Sequence, residues 1–320
     1  MSSERGAEGE GAMWQIVRFI GIRLLLMVVT LWVVFTLSFF LMRSVPGGPL
    51  SKERKLPRLA QEKLEQYYDL HKPVREQYLI HLGRAVSGDL GLSFKMHDYT
   101  VNQVLAEGLP RSLALGSVAL IFALALGITA GMVSAVRRGG VLDTCLMLIA
   151  TIGIALPNFV IAGVMILVLV IVVPVFPAAG WGGYRYLILP AFCLGAPFAA
   201  YIARLTRTGM LEVLGQDYIR TARAKGLSPF RVLWGHATRG GLLPVVSFLG
   251  PAVAGILTGS LVVEKIFAIP GLGTHFVQSA LNRDYTLSMG CVLLYTSMVY
   301  VMNLLVDIGY TVLDPRVKLE

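Results

Sequence analysis

The residues that could perform acid–base or metal chemistry lie too far apart in this sequence to work together. No two histidines have the spacing of a metal-binding pair, and the five are dispersed as His71, His81, His97, His236 and His275. The patterns HExxH, GxSxG and GxGD are absent, as is GxxxxGK[ST], the loop that binds the phosphates of ATP. We therefore expect no catalytic residue, no metal site and no cofactor bound by this chain.

The cysteines and the net charge also argue against common site types. Cys145, Cys193 and Cys291 each fall in an apolar run without a CxxC pair, so we expect free thiols in packed helices. The formal charge of +9 is scattered among apolar segments and forms no basic face with interleaved aromatic residues. Loops beside a membrane explain this charge better than nucleic-acid binding does.

The composition predicts an all-α integral membrane protein. Of 320 residues, 55% are hydrophobic and 15% are charged, and the mean hydropathy is +0.69. A run of about 20 apolar residues, at about 1.5 Å each, crosses a hydrocarbon core of about 30 Å. Six runs meet this length, and the first lacks a cleavage site: Trp14–Met42, Ser112–Val136, Thr144–Val173, Tyr186–Ala203, Gly241–Val263 and Tyr285–Val306.

The positions of lysine and arginine predict the orientation of these spans. Seven such residues lie between Arg204 and Arg239, whereas the short connections on the opposite side hold only Arg185, Lys265 and Arg283. Short basic connections face the cytoplasm, so both termini are predicted to be cytoplasmic. The long region 43–111 is also basic, but connections of this length cross membranes largely regardless of charge.

Two amphipathic helices are predicted within that long outer region. Apolar residues recur at helical spacing in Leu56–Leu70 and in Pro73–Val86. These helices either offer a surface to a partner or simply cover the outer ends of the spans.

The segment Asp217–Pro244, here called the basic loop, has the turn chemistry of a helix, a tight turn and a second helix. Asp217 suits the N-terminal end of a helix that runs to Lys225, and Gly226 can take the left-handed conformation that ends it. Ser228 and Pro229 suit the cap and first residue of the next helix. The residues Thr221, Ala222 and Ala224 are small, which favours close docking by another protein; an ordinary solvated loop is the alternative.

A second irregular segment follows the fifth predicted span. Pro270, Gly271 and Gly273 interrupt any helix there, and we call Ala268–Gly273 the proline turn. Irregular backbone at membrane depth must be buried or face water, so we expect a re-entrant turn, with a surface loop as the alternative. Glu264 lies just before it, where its side chain could reach water, and Asp307 is the other acidic residue in a span. No substrate-binding residue can be identified from these features.

The basic loop resembles the EAA loop of membrane subunits of binding-protein-dependent ABC importers. It carries RTARAKG from Arg220 to Gly226, as in the peptide-importer branch, and closes with LLP at Pro244. It departs from the general motif where Arg220 and Thr221 replace the usual Glu and Ala, and where Lys225 replaces an acidic residue. The segments PGGPL from Pro46, YYDLHKPVREQYLIHL from Tyr67 and GDLGLSFKMHDYTVN from Gly88 resemble the oligopeptide-permease branch.

This resemblance implies a type I ABC importer (MetI-like) fold with six transmembrane helices and an extracytoplasmic helical insertion after the first span. The implied ATPase-coupling residues are Arg220, Thr221, Ala222, Arg223, Ala224, Lys225 and Gly226, and the implied outer gate comprises Glu264, Pro270, Gly271 and Gly273. The implied segments are a disordered cytoplasmic tail (1–12), a first transmembrane helix (13–42), an extracytoplasmic helical region (43–108), an ABC transmembrane type-1 domain (109–313, with a cytoplasmic coupling loop at 204–240) and a second cytoplasmic tail (314–320).

The resemblance also implies a function: a permease subunit, in a bacterial inner membrane, of an ATP-driven oligopeptide importer. Its partners would be a second homologous permease, two ATP-binding subunits that hold ATP and Mg²⁺, an extracytoplasmic solute-binding protein, the peptide and membrane lipid. The alternatives are a dipeptide, nickel or other small-solute importer of the same family, an ion-coupled carrier, and a structural scaffold. An ion-coupled carrier would need an acidic relay or an inverted repeat, and neither is evident.

Overall fold

The computed structural model describes residues 2–45, 65–66, 69–96, 99–257 and 261–313. Within these ranges the regular elements are helices, and one isolated bridge joins Leu92 and Thr100. The helices in chain order are α1 (Ser2–Ser44), α2 (Val74–Val86), α3 (Val101–Val136), α4 (Val141–Ala155), α5 (Asn158–Ile166), α6 (Tyr184–Leu214), α7 (Asp217–Ala224), α8 (Pro229–Arg231), α9 (Thr238–Gly241), α10 (Leu243–Leu257), α11 (Leu261–Ile266), α12 (Leu272–Asn282) and α13 (Tyr285–Leu313). Two π-helical segments, Leu167–Val172 and Val232–Ala237, extend α5 and α8.

Four described helical stretches are long and apolar enough to cross a membrane. They are Arg18–Ser44, Val101–Val136, Tyr184–Leu214 and Tyr285–Leu305. Two bent pairs, Val141–Ala155 with Asn158–Val172 and Pro229–Gly241 with Leu243–Ile256, raise the number to six if each pair is one span. The prediction of an all-α membrane protein is confirmed, and the six predicted runs correspond to these six stretches.

The third predicted span is not one straight helix. Its halves α4 and α5 meet at a bend of 111°. Pro157 has no backbone N–H to donate, and it forces the preceding Leu156 into an extended conformation with φ −84° and ψ 131°. The predicted apolar run Thr144–Val173 therefore corresponds to a bent pair of helices.

The first helix begins earlier than the sequence predicts. Residues 1–12 were expected to form a disordered tail, yet α1 starts at Ser2. The segment contains no proline, and the good helix formers Ala7 and Glu8 alternate with the poor helix formers Gly6 and Gly9, so local propensity does not account for this early start. The helix Pro73–Val86 is confirmed as α2, whereas most of the predicted helix Leu56–Leu70 and the tail 314–320 lie outside the described residues.

The chain divides into two compact units. Unit 1 contains the described residues up to Arg111 together with Pro270–Leu304. Its apolar centre is aromatic: Phe35 and Phe39 of α1 are buried and pack with Tyr78 of α2 and Met289 of α13. The Tyr78 hydroxyl lies 2.9 Å from the Thr36 hydroxyl and accepts a hydrogen bond from the Trp32 indole N–H at 3.1 Å. These contacts hold α2 against α1.

Unit 2 contains Ser112–Ile269 and the described residues from Leu305. Its core forms where α3, α5, α6, α10 and α11 meet, with Leu115, Leu194 and Ile256 fully or almost fully buried. Helix α3 approaches α6 closely at Gly127 and Gly131, four residues apart on one face. A Cβ added at Gly131 would lie 2.5 Å from the Ala203 carbonyl oxygen. Glycine is therefore required at this crossing, as in other tightly packed membrane helices.

Candidate functional site

The basic loop folds as its turn chemistry predicts. Helix α7 spans Asp217–Ala224 and so ends one residue before the predicted end, Lys225. Lys225 caps the helix, and its N–H donates to the Thr221 carbonyl. Gly226 follows with φ +75°, the left-handed conformation that glycine adopts without strain. The Ser228 hydroxyl then accepts a hydrogen bond from the Arg231 N–H at 3.4 Å, and Pro229 opens α8. The predicted helix, turn and helix are confirmed.

One face of α7 is buried within unit 2. Ile219 is fully buried and Ala222 is 7% exposed, and both belong to an apolar cluster that fixes α7 to α3, α6 and the π-helical segment. We call this the α7 cluster; its buried members are Met132, Ala135, Met210, Ile219, Ala222, Val232 and Ala237. The cluster therefore packs α7 directly against α3, α6 and the segment Val232–Ala237.

The opposite face of α7 is exposed. Six of the seven predicted coupling residues are exposed: Arg220, Thr221, Arg223 and Ala224 on α7, and Lys225 and Gly226 directly after it. The seventh, Ala222, is not: its methyl group packs inward, so the idea that it offers a small contact surface to another protein is wrong for this conformation. The Arg220–Asp217 ion pair at 3.3 Å is highly exposed and contributes little to stability.

Two aromatic side chains beside this face were not identified from the sequence. Phe230 is 70% exposed and Trp234 is 50% exposed, and their ring centroids lie 6.1 Å apart. Phe230 also lines a cavity of about 700 Å³ whose wall includes Arg138 and Arg223 together with apolar side chains. The spacing of an aromatic pair at i and i+4 is the signal that could have marked them.

Glu264 has an environment that differs from the predicted one. We expected its side chain to reach water, but Glu264 is fully buried in unit 2 and accepts a hydrogen bond from the Ser112 hydroxyl at 2.8 Å. The Glu264 carbonyl also accepts from the Ile269 N–H at 2.9 Å, which closes the backbone after α11. Ala268, with φ +50°, takes the left-handed conformation here, so the turn begins before the proline and glycines.

The second half of the proline turn belongs to unit 1. The Pro270 carbonyl accepts a hydrogen bond from the Arg111 guanidinium at 3.1 Å, and Gly271 caps α12. Gly273, predicted to interrupt the helix, instead lies in the first turn of α12. Burial lowers the pKa of the His275 imidazole, and the nearby Arg111 charge lowers it further, so His275 is neutral at pH 7.

Asp284, in the sequence NRDY before α13, organises a second part of unit 1. Its carboxylate is 1% exposed and accepts hydrogen bonds from the Ser93 hydroxyl and from the N–H groups of Phe94 and Leu287, both at 3.1 Å. The segment Leu92–Met96 is thereby tied to the start of α13. Ser93 and Asp284 are 191 positions apart, so local sequence patterns do not indicate that they meet.

Removing the Asp284 carboxylate should therefore destabilise unit 1. We expect Asp284→Ala to cost about 3 kcal/mol, because buried N–H and O–H groups lose their acceptor. The control is Asp217→Ala, which removes a carboxylate that is 96% exposed and should cost less than about 1 kcal/mol. Thermal unfolding of the detergent-purified protein measures both, and equal shifts for the two variants would contradict this role of Asp284.

The described residues contain no group of three His, Cys, Asp or Glu side chains that could hold a metal ion. Cys193 and Cys291 are buried as expected, but Cys145 is exposed on α4. Two features remain as candidate functional sites. They are helix α7, which has one buried and one exposed face, and the proline turn.

These features and the helical fold belong to a known class of membrane protein. Residues 127–319 match the family described as binding-protein-dependent transport system inner membrane component, and the chain belongs to that family. It is a multi-pass permease subunit of an ABC transporter in the inner membrane and is not an enzyme. Such a system includes an ATPase, a partner permease and a binding protein, and the permease itself binds no cofactor.

Individual relatives cover nearly the whole chain. The dipeptide transport system permease protein DppB of Bacillus subtilis is 45% identical over 294 residues, which span 92% of this chain and 96% of the relative. The oligopeptide transport system permease protein OppB of Haemophilus influenzae is 43% identical over 303 residues, spanning 94% and 99%. A chain of the inward-facing methionine ABC transporter MetNI has the same fold, with a TM-score of 0.53 over 66% of this chain and 97% of that chain at 20% identity.

Proposed function

We propose that this chain forms half of the translocation pathway of an ATP-driven oligopeptide importer. A second, homologous permease subunit forms the other half, two ATP-binding subunits hold ATP and Mg²⁺, and an extracytoplasmic solute-binding protein delivers the peptide. The observation that carries this proposal is the two-faced helix α7, which is anchored inside the protein on one side and exposed on the other. The names of the relatives, two of them oligopeptide and dipeptide permeases, support a peptide as the substrate.

Oligopeptides are proposed over dipeptides because the chain resembles the oligopeptide branch in its segment Gly88–Asn102. Dipeptide import is the second candidate, since the Bacillus subtilis relative that is 45% identical carries that name. A pathway for peptides has to accept varied side chains, so we expect it to recognise the shared backbone and termini rather than one dense cluster of charge.

Uptake by the reconstituted complex tests the proposal. The permease pair, the ATPase subunits and the binding protein are placed in liposomes, and uptake of labelled peptides from two to eight residues long is measured with ATP, alongside Ni²⁺. We expect ATP-dependent uptake of peptides longer than two residues. Uptake of dipeptides alone would support the second candidate, uptake of Ni²⁺ alone would exclude a peptide substrate, and uptake driven by an ion gradient without nucleotide would exclude an ABC importer.

The proposed orientation places both termini and the basic loop in the cytoplasm. In that orientation α2 lies on the outer face of the membrane, so a reporter enzyme inserted after Arg84 should be active only outside the cytoplasm. A reporter inserted after Arg239 should be active only inside. The opposite pattern would reverse the orientation.

Gly226 offers a test of the turn that follows α7. No atom lies within 4 Å of a Cβ added at Gly226, so the effect of a substitution comes from the backbone, which has φ +75°. We expect Gly226→Val to reduce ATP-dependent peptide uptake about tenfold, because a β-branched residue loses about 1–2 kcal/mol in this conformation. Gly226→Asn is the control, since asparagine tolerates the left-handed region and should retain most uptake. Equal uptake by the two variants would show that the turn conformation is unimportant.

A further inference from the structure

An ion pair joins α4 and α6 of unit 2, two helices that are not consecutive in the chain, and its Arg207 side chain is 28% exposed. The Asp143 carboxylate in the first turn of α4 is 4% exposed. The Arg207 guanidinium of α6 donates from Nε to Oδ1 at 2.7 Å and from Nη2 to Oδ2 at 2.9 Å. This is the bidentate geometry that fixes distance and angle together, and only arginine among the basic residues can supply it.

The same carboxylate is held from a third helix. The Ser134 hydroxyl near the end of α3 donates to Asp143 Oδ1, and the Gly139 N–H in the turn between α3 and α4 donates to Oδ2 at 2.9 Å. Asp143 thus accepts hydrogen bonds from four donor groups on α3, on the α3–α4 turn and on α6. We call Asp143 and its three donor residues, Ser134, Gly139 and Arg207, the carboxylate clamp.

The clamp lies on the same two helices that hold α7. Ser134 lies between Met132 and Ala135 of α3, and Arg207 precedes Met210 of α6 by one helical turn. Those three apolar residues are members of the α7 cluster, whereas α4 contributes nothing to that cluster. The carboxylate clamp is therefore the polar link between α4 and the two helices that hold α7, and it adds to the direct packing of α4 against α6 near Gly153 and Ala200.

An ion pair in which the carboxylate is buried and fully hydrogen-bonded behaves differently from an apolar contact. Burying charge gives little net stability compared with apolar side chains of the same volume, but it penalises any arrangement in which the charges separate. Apolar side chains can slide past one another by small steps, whereas a bidentate pair loses both hydrogen bonds together. The clamp is thus suited to keeping α3, α4 and α6 in one relative position during a movement.

We propose that Asp143 and Arg207 are positioning residues for transport, which make α4 move together with α3 and α6 when the ATPase subunits displace α7. The inference rests on the proposed function, because it assumes that α7 receives the force. Without the clamp, α4 is held to α6 by apolar packing alone, so the bent pair α4–α5 follows the movement of α3 and α6 less closely. ATP hydrolysis then continues with less transport for each ATP consumed.

The test compares variants in the complete reconstituted complex. Arg207→Lys keeps the charge but removes the bidentate geometry, and Asp143→Asn keeps the shape but removes the charge. For both we expect an unchanged amount of assembled complex and a fall of at least fivefold in peptide imported per ATP hydrolysed. Asp69→Asn, which removes an ion pair of 2.9 Å with Lys72 in unit 1, is the matched control and should leave the ratio unchanged.

A ratio that stays at the wild-type value in both single variants would overturn the proposal, and so would a loss of uptake that only follows a loss of assembled complex. The second outcome would mean that the pair has a role in folding alone. The ratio separates these cases because a purely structural role changes the number of complexes and not the yield of each.

If the wild-type complex imports no peptide, the proposed function is wrong and the transport ratio cannot be measured. The role of the clamp can then still be tested by a distance measurement. Spin labels are attached at Val141→Cys on α4 and Gln216→Cys before α7, both exposed positions, with exposed Cys145 replaced by serine. We expect one label-to-label distance in the wild type, the same with and without ATP, and two in Arg207→Lys with ATP. A single unchanged distance in Arg207→Lys would overturn the proposal whatever the substrate.

Discussion

Gly131→Ala should lower the stability of the permease by about 2–3 kcal/mol, although it adds a single methyl group. The added Cβ would lie 2.5 Å from the Ala203 carbonyl oxygen and 2.5 Å from Thr206 Cβ. Neither atom is the free end of a flexible side chain, so α3 and α6 must separate along their shared core. Their separation would also expose the packing around Ile202, which is fully buried.

The same substitution at Gly163 provides the matched control. Gly163 lies within α5, and no atom lies within 4 Å of a Cβ added there. Because alanine is favoured over glycine in a helix by up to about 1 kcal/mol, Gly163→Ala should leave stability unchanged or raise it. Thermal unfolding in detergent, followed by size-exclusion chromatography, measures both variants. Shifts of the same sign and size would contradict the close approach of α3 and α6.

Features fixed by local chemistry could be predicted from the sequence. Gly226, Ser228 and Pro229 determine the turn between α7 and α8 through conformational preferences that do not depend on the rest of the fold. The apolar runs likewise determine the candidate spans, since length and hydropathy are enough to identify them. The turn appears at its predicted residues, whereas several spans extend well beyond their predicted ends, as in α3 (Val101–Val136) and α6 (Tyr184–Leu214).

Features that depend on contacts between distant segments could not be predicted. Ser112 and Glu264 are 152 positions apart, and the sequence alone suggested that Glu264 would reach water. Asp143 and Arg207 are 64 positions apart, and each looks like an ordinary charged residue at the end of a span. Which side chains pair depends on which helices lie next to one another, and the hydropathy of the sequence does not determine this.

The ends of helix α7 could be predicted from local sequence, whereas the face that it buries could not. The sequence predicted its length and its end at Gly226, but residue size alone suggested that Ala222 faces a partner. The helical period places Ile219 and Ala222 on one face, and that face is buried against α3 and α6. The distinction between anchoring and exposed residues on α7 therefore required the fold.

The second large effect is expected at Ala224, on the exposed face of α7. Ala224→Trp should reduce ATP-dependent peptide uptake at least tenfold, because a large side chain on this face prevents the ATPase subunit from approaching α7. The tryptophan points away from the α7 cluster, so the variant permease should unfold at the wild-type temperature. Binding of purified ATPase subunits to the detergent-solubilised permease pair measures the loss directly.

Two further variants separate docking from folding. Val141→Trp places the same bulk on α4 at a position that is 82% exposed, and it should leave ATPase binding intact. Ala222→Glu places a carboxylate in the α7 cluster, where no partner for the charge exists among the buried members, so it should lower the unfolding temperature of the permease itself. If Ala224→Trp bound the ATPase subunits normally while Ala222→Glu did not, the exposed face of α7 would not be the docking surface, and loss of binding would report only a damaged fold.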